Sequence, residues 1–325
     1  MKVGIISFAH GHAFGYANAL KNIEGVELYG ISDEEETRGK QAAEQFHTNY
    51  FADYHDLLNE PIDAVVITSE NQKHLEHVKA AAEHGKHILC EKPLSSNVQD
   101  AENMIQICHN KGVILQTAFP VRFNTPIQHA KKMIDAGELG NIIAIKGTNR
   151  GTNPGGWFVE KDKSGGGAVI DHTVHVVDII RWFTKAEIAE VYAEVDDKLS
   201  DYEIDDTGLL TMEFDNGMFA TLDCSWSRNK NYPTWGDVTL EIVGTKGTLF
   251  VDAFAQKMDV YHAEGVRWNA WGDNMDAGLV EDFVRTVESK GKPSISGEDG
   301  LRALEVAMAA YKSSERKEVV TLEHL

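Results

Sequence analysis

The sequence predicts an α/β chain in two parts: a parallel sheet interleaved with helices, then a larger, mostly antiparallel sheet. Three observations carry this. The first 120 residues alternate short apolar runs with helical patterns. From Ile142 onward, strand patterns follow one another with short turns between them. All six tryptophans (157, 182, 226, 235, 268 and 271) fall in that later part. The length of 325 residues is itself long enough for two domains, expected at 1–120 and 121–325.

In the first part, strands are expected over 2–7, 26–32, 64–68, 87–90 and 114–118. Helices are expected between them, over 13–22, 35–46, 74–84 and 98–110. Short β-branched runs alternating with helices imply βαβ units. Right-handed crossovers then produce a Rossmann-like, doubly wound parallel sheet. Residues 122–137 read as a linking helix that ends in the turn Gly137-Glu138-Leu139-Gly140. Strands are then expected over 142–148, 188–196, 207–214, 218–227, 238–243, 248–251 and 258–262. Asn216-Gly217 is a two-residue hairpin signal, and Lys246-Gly247 and Glu264-Gly265 mark further turns. One helix, 168–183, interrupts these strands, and two more, 276–289 and 300–313, close this C-terminal α+β domain.

Composition narrows the function classes. The formal net charge is −20 and no basic cluster exists, which disfavours nucleic acid and anionic membrane as partners. No apolar run approaches the roughly 20 residues of a membrane span. The apolar start, Met1 to Ile6, is too short for a signal segment and reads as a first strand. Cys90, Cys108 and Cys224 are scattered and include no Cys-x-x-Cys. That favours a reducing, cytoplasmic setting over a disulfide or cysteine–zinc framework.

Glu91-Lys92-Pro93 follows the apolar run 87–90, at the carboxyl end of an expected strand. Ligands of open α/β sheets bind outside such ends. An idle surface ion pair is the alternative there. The first strand leads into Ser7-Phe8-Ala9-His10-Gly11-His12, where a dinucleotide loop would read Gly-x-Gly-x-x-Gly. Ser7, Ala9 and His12 occupy the three glycine positions. The order of strand, loop and helix is right, and Gly11 stands one residue early as a partial substitute. Asp33, at the end of the second strand, is placed to accept hydrogen bonds from an adenosine ribose. With Glu34, Glu35 and Glu36 next to it and no arginine alongside, NAD is favoured over NADP.

Gly165-Gly166-Gly167 precede a helix carrying Asp171, His175 and Asp178 at i, i+4 and i+7, on one face. A histidine flanked by two carboxylates, after flexible glycines, fits a positioned general base or acid. A capped, buried polar network is the alternative. Asp171 with His172 and His175, or His10 with His12, could supply metal ligands, but no His-Glu-x-x-His spacing is present and no metal is expected.

Together these stretches resemble the glucose–fructose oxidoreductase/inositol dehydrogenase (Gfo/Idh/MocA) family over nearly the whole chain. The resemblance rests on residues 80–94, on 65–68 with Asn71 and His74, on Arg122-Phe123 with Pro126, on 137–140, and on 165–167 with Asp171, His175 and Asp178. It departs at the loop without its glycines and at His172, where many members carry a small or apolar residue. The resemblance implies an NAD(P)-dependent oxidoreductase acting on a CH–OH group of a sugar, cyclitol or related polyol, and a homo-oligomer packed through the C-terminal sheets. Lys92, Asp171 and His175 are the catalytic set it implies. The expected cofactor contacts are Phe8, Ala9, His10, Gly11, His12, Asp33, Thr68, Asn71, His74, Glu91, Lys92 and Pro93. Arg122, Trp157 and His172 are the expected substrate contacts.

In the expected reaction His175 takes the alcohol proton, Lys92 donates to the same oxygen, and Asp171 holds the substrate. Two other readings stand beside it. One is a redox-neutral β-elimination of a glycoside through transient oxidation by NAD. The other is a non-catalytic sugar-binding protein on the same fold.

Overall fold

The computed structural model describes residues 1–322. The chain divides into two compact units, one of residues 1–120 with 274–301, the other of 121–273 with 302–322. The second expected domain therefore cedes 274–301 to the first.

The first unit contains β1 (Lys2–Ile6), α1 (His12–Asn22), β2 (Glu27–Ser32), α2 (Glu36–Phe46), β3 (Asn49–Phe51), α3 (Tyr54–Asn59), β4 (Ala64–Ile67), α4 (His74–Glu83), β5 (His87–Cys90), α5 (Val98–Lys111) and β6 (Leu115–Thr117). The strands pair in parallel in the order β3-β2-β1-β4-β5-β6. That is the doubly wound order of dinucleotide-binding folds, with its topological switch between β1 and β4. The central strands are buried on both faces, so β4 reads Ala-Val-Val-Ile with no polar alternation. The expectation omitted β3 and α3, because Asn49–Phe51 and Tyr54–Asn59 are too short for a periodic signal.

The second unit contains α6 (Thr125–Asp135), β7 (Ile142–Thr148), α7 (Lys161–Ser164), α8 (Ala168–Thr184), β8 (Ile188–Asp196), β9 (Thr207–Phe214), β10 (Phe219–Asp223), β11 (Thr239–Gly244), β12 (Thr248–Asp252), β13 (Lys257–His262) and β14 (Gly265–Ala270). After it run α9 (Met275–Ser289), which belongs to the first unit, α10 (Gly297–Arg316) and β15 (Val320–Thr321).

Seven strands form one sheet in the order β12-β11-β7-β10-β9-β8-β15. Only β7 and β10 pair in parallel within it. The Asn216-Gly217 turn joins β9 to β10, with Gly217 at φ 80°. The strand expected over 218–227 stops at Asp223, and the chain beyond it leaves the sheet. β13 and β14 make a separate hairpin, and β14 was not anticipated.

β9 alternates strictly between buried and exposed positions, so this sheet has one covered face. α8 packs on the covered face, over two glycines. A Cβ on Gly147 would lie 2.9 Å from Val176 Cγ1, and one on Gly208 would lie 2.6 Å from Val169 Cγ2. The other face exposes Tyr192, Leu209, Phe219 and Phe250, the last at 66%.

Candidate active site

In the first unit, the expected cofactor residues gather at the carboxyl ends of β1, β2, β4 and β5. Ser7 takes the left-handed conformation, at φ 70°, where the first glycine of a dinucleotide loop would stand. That conformation is unfavourable for a serine by roughly 1 kcal/mol and persists only when neighbours over-determine it. They do so here. The Ser7 amide donates to Ser32 O (2.7 Å), the Thr68 hydroxyl donates to Ser7 O (2.6 Å), and the His10 amide donates to Thr68 O (3.0 Å). Gly11 lies in open space at φ −60°, so it does not replace the missing third glycine by close packing. The His12 side chain instead turns away toward Glu91 and Tyr16.

Glu91 is the centre of this half. Its carboxylate accepts from the Tyr16 hydroxyl (2.6 Å) and bonds His12 Nδ1 (2.9 Å) through Oε1, and accepts the Lys92 amide (2.9 Å) through Oε2. The Glu91 side chain is 0% exposed and that of His12 32%. Burial opposes both charges. For Glu91 the charges of His10, His12 and Lys92 outweigh it, and its pKa lies well below the usual carboxylate range. For His12 the Glu91 charge and hydrogen bond outweigh it, and the pKa rises. Tyr16, buried beside the same carboxylate, keeps its proton, so its hydroxyl is a fixed donor. Sequence reading missed Tyr16, although it stands four residues after His12 on the same helical face.

The potential ligand atoms of His10, His12 and Glu91 all lie within 4.8 Å of one another. Their hydrogen bonds decide how this set is built. The His12 amide donates to His10 Nδ1 (3.1 Å), so the proton of a neutral His10 sits on Nε2. His12 Nδ1 is committed to Glu91. His10 Nδ1, His12 Nδ1 and Glu91 Oε1 are each already engaged in a hydrogen bond.

One expectation changes in this half. Asp33 does have an arginine beside it: Arg38, in the first turn of α2. The fork of Arg38 meets both carboxylate oxygens, Nε to Oδ2 at 2.9 Å and the terminal nitrogen to Oδ1 at 2.7 Å. The Phe8 amide (2.7 Å) and Glu35 amide (2.8 Å) fill the remaining sites. A carboxylate has about four lone-pair positions, and all four are used. A ribose hydroxyl therefore has to displace Arg38 to reach Asp33. Phe8 is buried against Phe14 and Phe46, and it ties down the loop through its amide. Thr68 is fully buried and also holds the loop. His74 is fully buried, with Nδ1 3.1 Å from Pro93 O and Nε2 3.2 Å from Ser69 O. Burial lowers its pKa, and its ring braces the Lys92–Pro93 segment from within. The Lys92–Pro93 peptide is cis.

In the second unit, α8 carries Asp171, His172 and His175, all buried. No residue of α8 caps its own start. Asp205, on the segment entering β9, does so: its carboxylate accepts the Gly167 and Val169 amides at 2.8 Å each. Its carbonyl accepts the Ala168 amide at 2.9 Å. The three glycines therefore serve close approach as well as turning. Gly165 is left-handed at φ 81°, Gly166 faces the Tyr311 ring, and Gly167 faces the Asp205 backbone.

Asp171 accepts the Trp226 indole N–H at 3.2 Å and lies 3.3 Å from His172 Nε2. Asp178, the expected second carboxylate flanking His175, is bound in a fork by Arg122, with Nε to Oδ2 at 2.7 Å. Arg122 is buried beneath Trp182. It is a structural partner of α8. Trp157 is 9% exposed and stacks on Phe158 with ring centres 3.9 Å apart, so one of its faces is already covered. Trp235 is 41% exposed, with its ring centre 6.0 Å from that of His172. Trp226 had no signal in the sequence, because its link to Asp171 spans 55 positions.

The fold and these two residue sets define a class first: an oxidoreductase with a dinucleotide-binding unit and a separate unit carrying a buried Asp–His helix. Residues 1–119 match the model described as oxidoreductase family, NAD-binding Rossmann fold. Residues 127–250 match the Gfo/Idh/MocA C-terminal domain. The chain is 32% identical to the myo-inositol 2-dehydrogenase of Thermotoga maritima, over 100% of this chain and 99% of that one. It is 29% identical to the scyllo-inositol 2-dehydrogenase (NAD(+)) of Bacillus subtilis, over 91% and 89%. The solved scyllo-inositol dehydrogenase of Lactobacillus casei, with bound NAD(H) and scyllo-inositol, superimposes with a TM-score of 0.85 at 25% identity, over 99% and 98%. The chain belongs to the Gfo/Idh/MocA family of oxidoreductases.

Proposed function

We propose that this protein is a dehydrogenase for a secondary alcohol of a cyclitol or sugar, with Lys92, Asp171 and His175 as its catalytic residues. The observation that carries this reading is α8: Asp171 and His175 lie one turn apart and buried, on a helix whose start is clamped by Asp205. The inositol dehydrogenases among its relatives support the substrate class.

The first unit fits a dinucleotide at Ala9, Gly11 and His12, with Asn71, Glu91, Lys92 and Pro93 beside it. The loop leaves open space above Gly11, and Ser7 has the conformation such a loop requires. When bound, the nicotinamide supplies the hydride acceptor. His175 takes the hydroxyl proton, because an imidazole titrates near neutrality. The Lys92 ammonium donates to the same oxygen and stabilises the charge that develops there. Asp171 orients the alcohol. NAD is preferred over NADP because Asp33 holds Arg38 and so keeps that cation from a 2′-phosphate. The exposed apolar face of the seven-stranded sheet packs on a second copy of the chain, and the three free, buried cysteines accord with a cytoplasmic protein.

The test is a panel of cyclitols and sugars with NAD and with NADP, read at the absorbance of the reduced cofactor. Stoichiometric reduction with an inositol or related polyol supports the reading. Product formation with no net change in cofactor would replace it by a redox-neutral elimination.

A further inference from the structure

We propose that His12, held as an imidazolium by Glu91 and Asp276, stands in for the missing third glycine and binds the cofactor pyrophosphate through its Nε2 edge. The proposal deepens the cofactor reading of the first unit and rests on it. An ordinary dinucleotide loop offers its backbone amides and the start of its helix to the pyrophosphate. This loop has turned such donors inward. The Phe8 amide goes to Asp33 (2.7 Å), the Ala9 amide to Ser7 Oγ (3.2 Å), the His10 amide to Thr68 O (3.0 Å) and the His12 amide to His10 Nδ1 (3.1 Å). What the start of α1 presents instead is an imidazole, its side chain 32% exposed.

The hydrogen bonds of His12 define what that ring can offer. Nδ1 lies 2.9 Å from Glu91 Oε1. Glu91 is a buried, ionised carboxylate, so it accepts and Nδ1 carries the hydrogen. In a neutral imidazole that is the sole N–H, and Nε2 is a bare lone pair that repels a phosphate oxygen. A second proton turns Nε2 into a donor and adds a positive charge. Charge-assisted hydrogen bonds of this kind are about twice as strong as neutral ones. The cofactor anion and that proton are therefore taken up together.

The neighbours favour the charged form. Around the ring stand His10 of the loop, its ring centre 4.4 Å away, Tyr16 of α1, Glu91 and Lys92 at the end of β5, and Asp276 of α9. Burial opposes the charge, but Glu91 and then Asp276 outweigh it, and the pKa is raised even with Lys92 acting against it. Tyr16 keeps its proton and adds no charge. Asp276 reaches this place over Gly15, where a Cβ would stand 2.7 Å from its Oδ2. Its Oδ1 is buried and has no hydrogen-bond partner among the described residues. A buried carboxylate left in that state is stabilised by a nearby cation, and His12 supplies one.

The experiment titrates the full-length protein with NADH, by fluorescence, and with ADP-ribose, by calorimetry, from about pH 6 to about pH 9. Both probes carry the pyrophosphate at constant charge over this range, and ADP-ribose lacks the nicotinamide. Wild-type affinity for both should be highest at the lower end and fall roughly fivefold or more as pH passes the raised His12 value. His12→Asn cannot titrate and should give a flat profile. Asp276→Asn should move the fall to lower pH, and an unshifted fall overturns the part given to Asp276. Saturable binding with a flat wild-type profile overturns the proposal and leaves the cofactor reading standing. A slope for NADH but not for ADP-ribose, or a slope that persists in His12→Asn, does the same. No saturable binding of NADH at any pH overturns both. The wild-type profile decides alone if a variant fails to fold.

Discussion

Asp205 closes the start of α8 from 38 positions away in sequence, and Gly167 is the residue that lets it do so. The Gly167 amide donates to the Asp205 carboxylate at 2.8 Å, and a Cβ on Gly167 would fall on the Asp205 carbonyl oxygen. Gly167→Ala should therefore push the Asp205 segment off the helix. The expected destabilisation is about 1–3 kcal/mol or more, as for other insertions into close packing. Thermal denaturation measures it, and an unchanged melting temperature would contradict the clamp. Asp205→Ala should act on the same contact, so the double variant should lose less than the sum of the single losses.

Arg122 and Asp178 form a buried fork within the second unit. Removing one partner of such a pair leaves an uncompensated charge, at a cost of roughly 3–5 kcal/mol. Arg122→Ala should therefore lower stability strongly while leaving KM for the alcohol nearly unchanged. A large rise in KM at unchanged stability would restore the substrate role expected from sequence.

Asp33 holds Arg38 with all four of its acceptor positions occupied. Asp33→Ser should release that cation for a 2′-phosphate. The ratio of kcat/KM for NAD over NADP should fall by about tenfold or more, equivalent to roughly 1.4 kcal/mol. Parallel kinetics with both cofactors make the comparison, and an unchanged ratio would show that Arg38 does not reach the phosphate.

The His12–Glu91 pair links stability to pH. The folded pKa of His12 is raised above 6.5, so its contribution is complete below pH 6.5 and is lost as pH rises through the raised value. The folded pKa of Glu91 is depressed below 4.5, so its contribution is complete above pH 4.5 and is lost as pH falls through the depressed value. The pair is at full strength between these limits. Melting temperatures taken upward from pH 6.5 should fall more steeply for wild type than for His12→Asn. Parallel curves would dissociate His12 from the effect.

His175→Asn and Lys92→Met should each lower kcat by roughly 10²–10⁴-fold, the range for lost general acid–base or charge-stabilising groups. Cofactor binding, followed by fluorescence titration, should change far less for His175→Asn. An equal loss of binding and turnover would assign His175 to structure.

Local pattern was enough to determine the alternation of strand and helix through Thr117 apart from β3 and α3, the place of Glu91-Lys92-Pro93 at a strand end, and the shared face of Asp171 and His175. Those features depend on periodicity and on neighbours within about two helical turns, which a linear sequence displays. Tertiary structure alone decided which charges are available for chemistry. Asp33 and Asp178 carry the same carboxylate as Asp171, yet Arg38 and Arg122 have claimed them, and the partner of Asp178 lies 56 positions away. Only the fold could show that the glycines before α8 admit Asp205 and Tyr311, or that α9 packs with the first unit across from α1. The reason is physical. A buried polar group must find a partner, and which partner it finds depends on distances in space that sequence separation does not encode.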